Sequence, residues 1–145
     1  MKLPVSIVIA GKGEHPALLN LMNCKCTQIY NDKLTDSEFL LLLKNSSALL
    51  LPYKGISQSG LLLTSIAAHV PVIASPINGF KYVFNIEPPG ILMKSISSNA
   101  LCDAVFEFMS LESHLSINWE ELNLVFNWNV IGSKTSSIYK SILKS

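Results

Sequence analysis

Val5, Ile7, Val8, Ile9 and Ala10 make a nearly continuous apolar run that stops at Gly11-Lys12-Gly13. This is the pattern of a strand buried on both faces, and hence of a parallel sheet. Short apolar runs recur at 27–30, 48–53, 71–75 and 90–93. Between them lie segments with helical spacing at 16–22, 36–44, 60–69 and 80–84. Alternation of buried strands with helices predicts an α/β fold, a Rossmann-like doubly wound parallel sheet with right-handed crossovers. Three helices are expected to follow the last strand. The first, 98–111, carries Leu101, Val105, Phe108 and Met109 on one face, with Asn99 placed to cap it. The others are 118–125, with Glu120 and Glu121 in a first turn where the helix dipole favours acids, and 129–143.

The chain has 145 residues, which predicts one domain spanning 1–145. Hydrophobic residues make up 49% and charged residues 14%, which excludes disorder, coiled coil and collagen-like repeats. The 11 basic residues are all lysines and the net charge is +1, so no basic field exists to hold nucleic acid or an anionic bilayer. The longest apolar runs, such as 39–43 and 48–52, fall far short of the roughly 20 residues of a membrane span. The N-terminus lacks the pattern of a signal peptide, so the expected compartment is the cytoplasm. Cys24, Cys26 and Cys102 are odd in number, and the one-residue spacing of the first two suits neither a disulfide framework nor a zinc knuckle. They read as reduced thiols.

In such a sheet ligands bind beyond the carboxyl ends of the strands, which directs attention to 11–15, 30–34, 53–60 and 75–79. The richest is 53–60, where Ser57-Gln58-Ser59-Gly60 stands between a strand and an apolar helix. The amides of Ser59, Gly60 and Leu61 should then be free at a helix N-terminus, an arrangement that binds phosphate. Gly60 would let the anion approach, Ser59 would add a hydroxyl and Lys54 a mobile positive charge. The plainer reading is that Ser59 only caps the helix. Gly11, Gly13 and Pro16 approximate a dinucleotide fingerprint, with Pro in place of the last Gly, and no P-loop sequence is present. Gly55-Ile56-Ser57-Gln58-Ser59, with Asp103 and His114 downstream, approximates a serine-hydrolase nucleophile elbow, but Ser59 occupies the second Gly position. His15, His69 and His114 are scattered without metal-ligand spacing, so no metal is expected. Trp119, Trp128, Phe106 and Phe108 read as core or interface aromatics, because no basic residues interleave with them.

Leu50-Leu51-Pro52, Ser57-Gln58-Ser59-Gly60, the stretch Ala67-Ala68-His69-Val70-Pro71-Val72-Ile73-Ala74-Ser75 and Asn78-Gly79-Phe80 together resemble the C-terminal, donor-binding domain of retaining glycosyltransferases of the GT-B fold, glycosyltransferase family 4 (group 1). Val8-Ile9-Ala10-Gly11-Lys12-Gly13 resembles that domain's second strand and Gly-rich turn, and Phe126-Asn127-Trp128 through Tyr139 its closing aromatic helix. The family's paired glutamates fall on Ile56 and Thr64, and the Glu that often follows its Gly-Gly-Leu-Pro segment falls on Tyr82. A branch with Ser or Thr, Gln, Ser, Gly at the loop is the better match. The first strand of the domain and the acceptor domain have no counterpart here.

The resemblance implies binding of a UDP- or GDP-linked sugar, held by Ser57, Gln58, Ser59, Gly60, Thr64 and Lys54, with Gly11 and Gly13 at the Gly-rich turn. Thr64 would reach a ribose hydroxyl, and Tyr30 and Leu34 would flank the base. Helix amides and hydroxyls, instead of a metal or another cofactor, would neutralise the departing diphosphate. No catalytic residue is identified. The implied pathway is hexosyl transfer in surface polysaccharide or glycolipid synthesis. The chain alone would be inactive, dependent on an acceptor-domain partner or prone to self-association. Joined to that domain, it would sit peripherally at the inner face of the membrane. The alternatives are a noncatalytic nucleotide-binding or protein-interaction module of the same fold and, further off, a serine hydrolase.

Overall fold

A computed structural model describes residues 5–56, 58–111 and 114–143. The elements alternate as β1 (Ile7–Ala10), α1 (Pro16–Met22), β2 (Thr27–Tyr30), α2 (Asp36–Lys44), β3 (Leu49–Leu51), α3 (Gly60–Ala67), β4 (Val72–Ala74), α4 (Asn78–Phe84) and β5 (Gly90–Leu92). The helices α5 (Ser98–Leu111), α6 (Trp119–Val125) and α7 (Trp128–Ile142) follow. Every strand pairing is parallel, and the α/β class expected from the apolar runs is the one found. The strands form two ladders, β1-β2 and β3-β4-β5. They belong to two compact units, 1–42 and 43–145, whose boundary falls within α2.

In the second unit the ladder aligns Leu49, Leu50 and Leu51 with Val72, Ile73 and Ala74, and these with Gly90, Ile91 and Leu92. Because side chains alternate across a strand, Val72 and Ala74 point to one face and Ile73 to the other. On the first face Val72 and Ala74 meet Leu62 and Ile66 of α3, Phe80, Val83 and Phe84 of α4, and Leu122 of α6. On the second, Ile73 and Ile91 meet Ala100, Ala104 and Phe108 of α5. Handedness explains the division. Two right-handed crossovers that step in the same direction, β3 to β4 to β5, must place α3 and α4 on the same side of the sheet. All three residues of β4 are buried, as its unbroken apolar run predicts.

The first unit is thinner. β1 pairs with β2 from Ile7 opposite Thr27 to Ala10 opposite Tyr30, and α1 lies against β2. The expectation that β1 is buried on both faces is not met, since Ile7 and Val8 are 38% and 39% exposed. A two-stranded ladder and a seven-residue helix offer too few side chains to cover both faces.

The helix caps differ in detail from expectation. Ser97, not Asn99, caps α5, its Oγ accepting the Ala100 N–H at 3.1 Å. α3 ends two residues before position 69 in a Schellman turn, with Val70 N–H donating to Ser65 O at 3.0 Å and His69 N–H to Ile66 O at 3.1 Å. His69 occupies the left-handed position, with φ 56°.

Candidate functional site

The loops that leave β3, β4 and β5, two of them opening crossovers and the third leading into α5, lie at the carboxyl edge of the second unit's sheet. There a cleft of about 290 Å³ is lined by Pro52 and Lys54 after β3, Ser75 after β4, Met93 after β5, and Ile96 to Ser98 with Leu101 at the start of α5. Its floor is held by the fully buried Ser75, whose hydroxyl donates to the Met93 sulfur at 3.9 Å. Ser97 and Ser98 bring hydroxyls to its lining, and the Ser97 hydroxyl shares a hydrogen bond of 3.1 Å with that of Ser95. An exposed lysine opposite a serine-rich helix start can attract and ligate an anionic, hydroxyl-bearing ligand.

The α3 N-terminus stands at the same sheet edge. Ser59 is extended, with φ −131° and ψ 113°, and its Oγ accepts the Leu62 N–H at 3.3 Å. The capping role is therefore real, and the hydroxyl is committed to the helix. Among the described residues the amides of Gly60 and Leu61 meet no acceptor, as expected of the first positions of a helix. A side chain at Gly60 would meet nothing within 4 Å, so the approach is open. Thr64, half-buried, donates its hydroxyl to Gly60 O at 2.9 Å. Gln58 and Lys54 are exposed, and Ser57 lies outside the described residues. The nucleophile of the elbow pattern would be Ser57, which lies outside the described residues.

The remaining expected residues belong to the first unit. Gly11 has φ 141°, a conformation that favours glycine, and its N–H continues the ladder to Tyr30 O at 3.0 Å. Gly13 donates its N–H to Asn31 Oδ1 at 3.0 Å, so this amide is satisfied within the turn. Tyr30 is exposed at the end of β2 and Leu34 is half-buried.

No family model matches the chain, and no curated protein sequence is similar to it. Among solved structures, sucrose-phosphate synthase from Thermosynechococcus elongatus aligns with a TM-score of 0.68 at 18% identity, over 94% of this chain. The fold is shared. The two small parallel sheets and their helices match a Rossmann-like half of the GT-B glycosyltransferase fold. The chain spans 38% of the length of that synthase. No helix among the described residues is long and apolar enough to cross a membrane.

Sequence reasoning missed the β5–α5 loop. Ser95, Ser97 and Ser98 follow an apolar strand directly and precede an amphipathic helix, which is the signature of a capped helix start facing the carboxyl edge. Of these, Ser97 and Ser98 line the cleft, and their position after the strand was sufficient to identify them.

Proposed function

We propose that this chain is the donor-binding domain of a glycosyltransferase and takes a nucleoside diphosphate sugar at the carboxyl edge of β3-β4-β5. The observation that carries the reading is the pair of amides at Gly60 and Leu61 that meet no acceptor among the described residues, on the edge where the Lys54-lined cleft opens. Two N–H groups at a helix N-terminus and a lysine complement a diphosphate without a metal. The likeness of fold to sucrose-phosphate synthase supports glycosyl transfer as the chemistry. Thr64 faces a ribose hydroxyl in this reading, and Ser97 and Ser98 contact the sugar side. Transfer is of the retaining kind and needs an acceptor-binding domain beside this one. The second reading, a nucleotide-binding module without catalysis, is favoured by Ile56 and Thr64, which stand where the resembling enzymes carry two glutamates.

Calorimetry with UDP, GDP and their glucose conjugates tests the proposal. Binding should persist in EDTA. Gly60→Asp should abolish it while leaving the melting temperature within a few degrees of wild type, because a carboxylate in a first helical turn is tolerated and the space is open. Ser59→Ala should instead lower stability by about 1 kcal/mol through the lost cap. Undiminished affinity in a folded Gly60→Asp protein would move the phosphate away from α3.

A further inference from the structure

Cys24 and Cys26 flank Lys25 in the turn between α1 and β2. Backbone hydrogen bonds fix this turn: Cys24 N–H donates to Leu21 O, Thr27 N–H to Cys24 O, each at 3.0 Å, and Ile7 N–H to Cys26 O at 2.8 Å. The two sulfurs lie 2.9 Å apart. Cys26 is exposed and Cys24 half-buried, so a small reagent reaches both.

A close dithiol can chelate a soft metal or close into a disulfide, and the geometry separates the two. Tetrahedral zinc with bonds of about 2.3 Å holds its sulfur ligands roughly 3.8 Å apart, whereas a disulfide needs about 2.05 Å. The observed separation is too short for the first and requires a small torsional closure for the second. No group of three or more His, Cys, Asp or Glu suited to a metal occurs among the described residues. We infer that Cys24 and Cys26 are a dithiol–disulfide pair that exchanges with low-molecular-weight disulfides.

The exchange balances in two steps. The Cys24 thiolate, its proton given to solvent, attacks one sulfur of the small disulfide and expels one thiolate, leaving a mixed disulfide on Cys24. The Cys26 thiolate then attacks the Cys24 sulfur and expels the second thiolate, and the leaving groups take up the protons. Two protein thiols have become one disulfide, and two electrons have passed to the reagent, which departs as two thiols. Hydrogen bonds from the Cys26 thiol, the Cys26 backbone N–H and the Thr27 hydroxyl hold the Cys24 thiol below its ordinary value of 9.0. The same pairing with Cys24, helped by desolvation, pushes Cys26 up. Cys24 is thus the attacking sulfur and Cys26 the resolving one. An exposed bond of this kind is readily reduced again.

The test uses the full chain carrying Cys102→Ser, reduced and then exposed to oxidised glutathione, alkylated, denatured and digested with trypsin. Cleavage after Lys25 separates fragments 13–25 and 26–33 in the reduced protein. In the oxidised protein they should stay joined until a reductant releases them. Adding Cys26→Ser should trap glutathione on Cys24, and adding Cys24→Ser instead should slow adduct formation several-fold. Separate glutathione adducts on both thiols with no joined fragments would overturn the pair. Equal adduct rates in the two serine variants would overturn the assigned roles.

Discussion

A methyl group at Gly90 would run into the Val72 carbonyl and come within 2.7 Å of the Val72 nitrogen, both of them main-chain atoms of the central strand. Neither can yield without breaking the β4–β5 ladder, and φ at Gly90 is 154°, which side chains avoid. Gly90→Ala should therefore cost at least about 2 kcal/mol in chemical denaturation. A stability equal to wild type would mean that β5 does not sit in this register. His69 is a different case, because its left-handed conformation costs about 1 kcal/mol but its ring stacks on Trp119 at 5.4 Å and 12° and hydrogen-bonds Asn123 at 3.0 Å. Gly removes the strain and the contacts together, whereas Ala keeps the strain and loses the contacts. His69→Ala should thus melt clearly below His69→Gly, with the glycine variant within about 1 kcal/mol of wild type. Neither role was legible in the sequence. Gly90 looked like a strand residue, and a histidine gives no sign that it stands where glycine is usual.

At the scale of elements, local chemistry was legible in part: Ser59 was read as a helix cap, whereas the cap of α5 was read as Asn99 and is Ser97. α2 begins with a capping box: Thr35 N–H donates to Glu38 Oε2 at 2.8 Å, the Thr35 hydroxyl donates to the same oxygen at 2.7 Å, and Glu38 N–H returns a bond to Thr35 Oγ1 at 3.3 Å. These bonds from the Thr35 backbone and side chain hold Glu38 below its ordinary 4.5. A lowered value in the folded state means that Glu38 stabilises α2 fully above its unfolded value, and that this contribution disappears as pH falls through the folded one. The difference in melting temperature between wild type and Glu38→Gln should accordingly be present at neutral pH and vanish in acid. A difference that is constant with pH would show that the carboxylate's charge is not what the cap uses. Strands were less legible than helices in one respect. The apolar run of β1 reads the same whether neighbours cover it or not, and the number of strands in a ladder leaves no local signal. That is why β1 was expected to be buried and why the division into two ladders was not foreseen. At the candidate site the loop around Ser59 was found because β3, a capping serine and an apolar helix follow one another. The plainer of the two sequence readings, that Ser59 caps the helix, is the one its bond from the Leu62 N–H bears out.

For the whole molecule, the clearest surface feature is α7, none of whose residues is buried. Trp128 is 81% exposed, and Ile138, Tyr139 and Ile142 are exposed with it at helical spacing. Apolar area of this extent promotes association. Sedimentation velocity should show a concentration-dependent shift to larger species, reduced by Trp128→Ser with Ile138→Ser. A single monomeric boundary at all concentrations would show that α7 is not sticky in water. A different consequence follows from the order β3-β4-β5, in which each strand lies beside the one that precedes it in the chain. No strand has to be threaded between two that have already paired, and each loop closes over one crossover. Loop-closure entropy is thus met in small successive instalments. The sheet of the second unit can grow by accretion at one edge, in the direction in which a ribosome releases it.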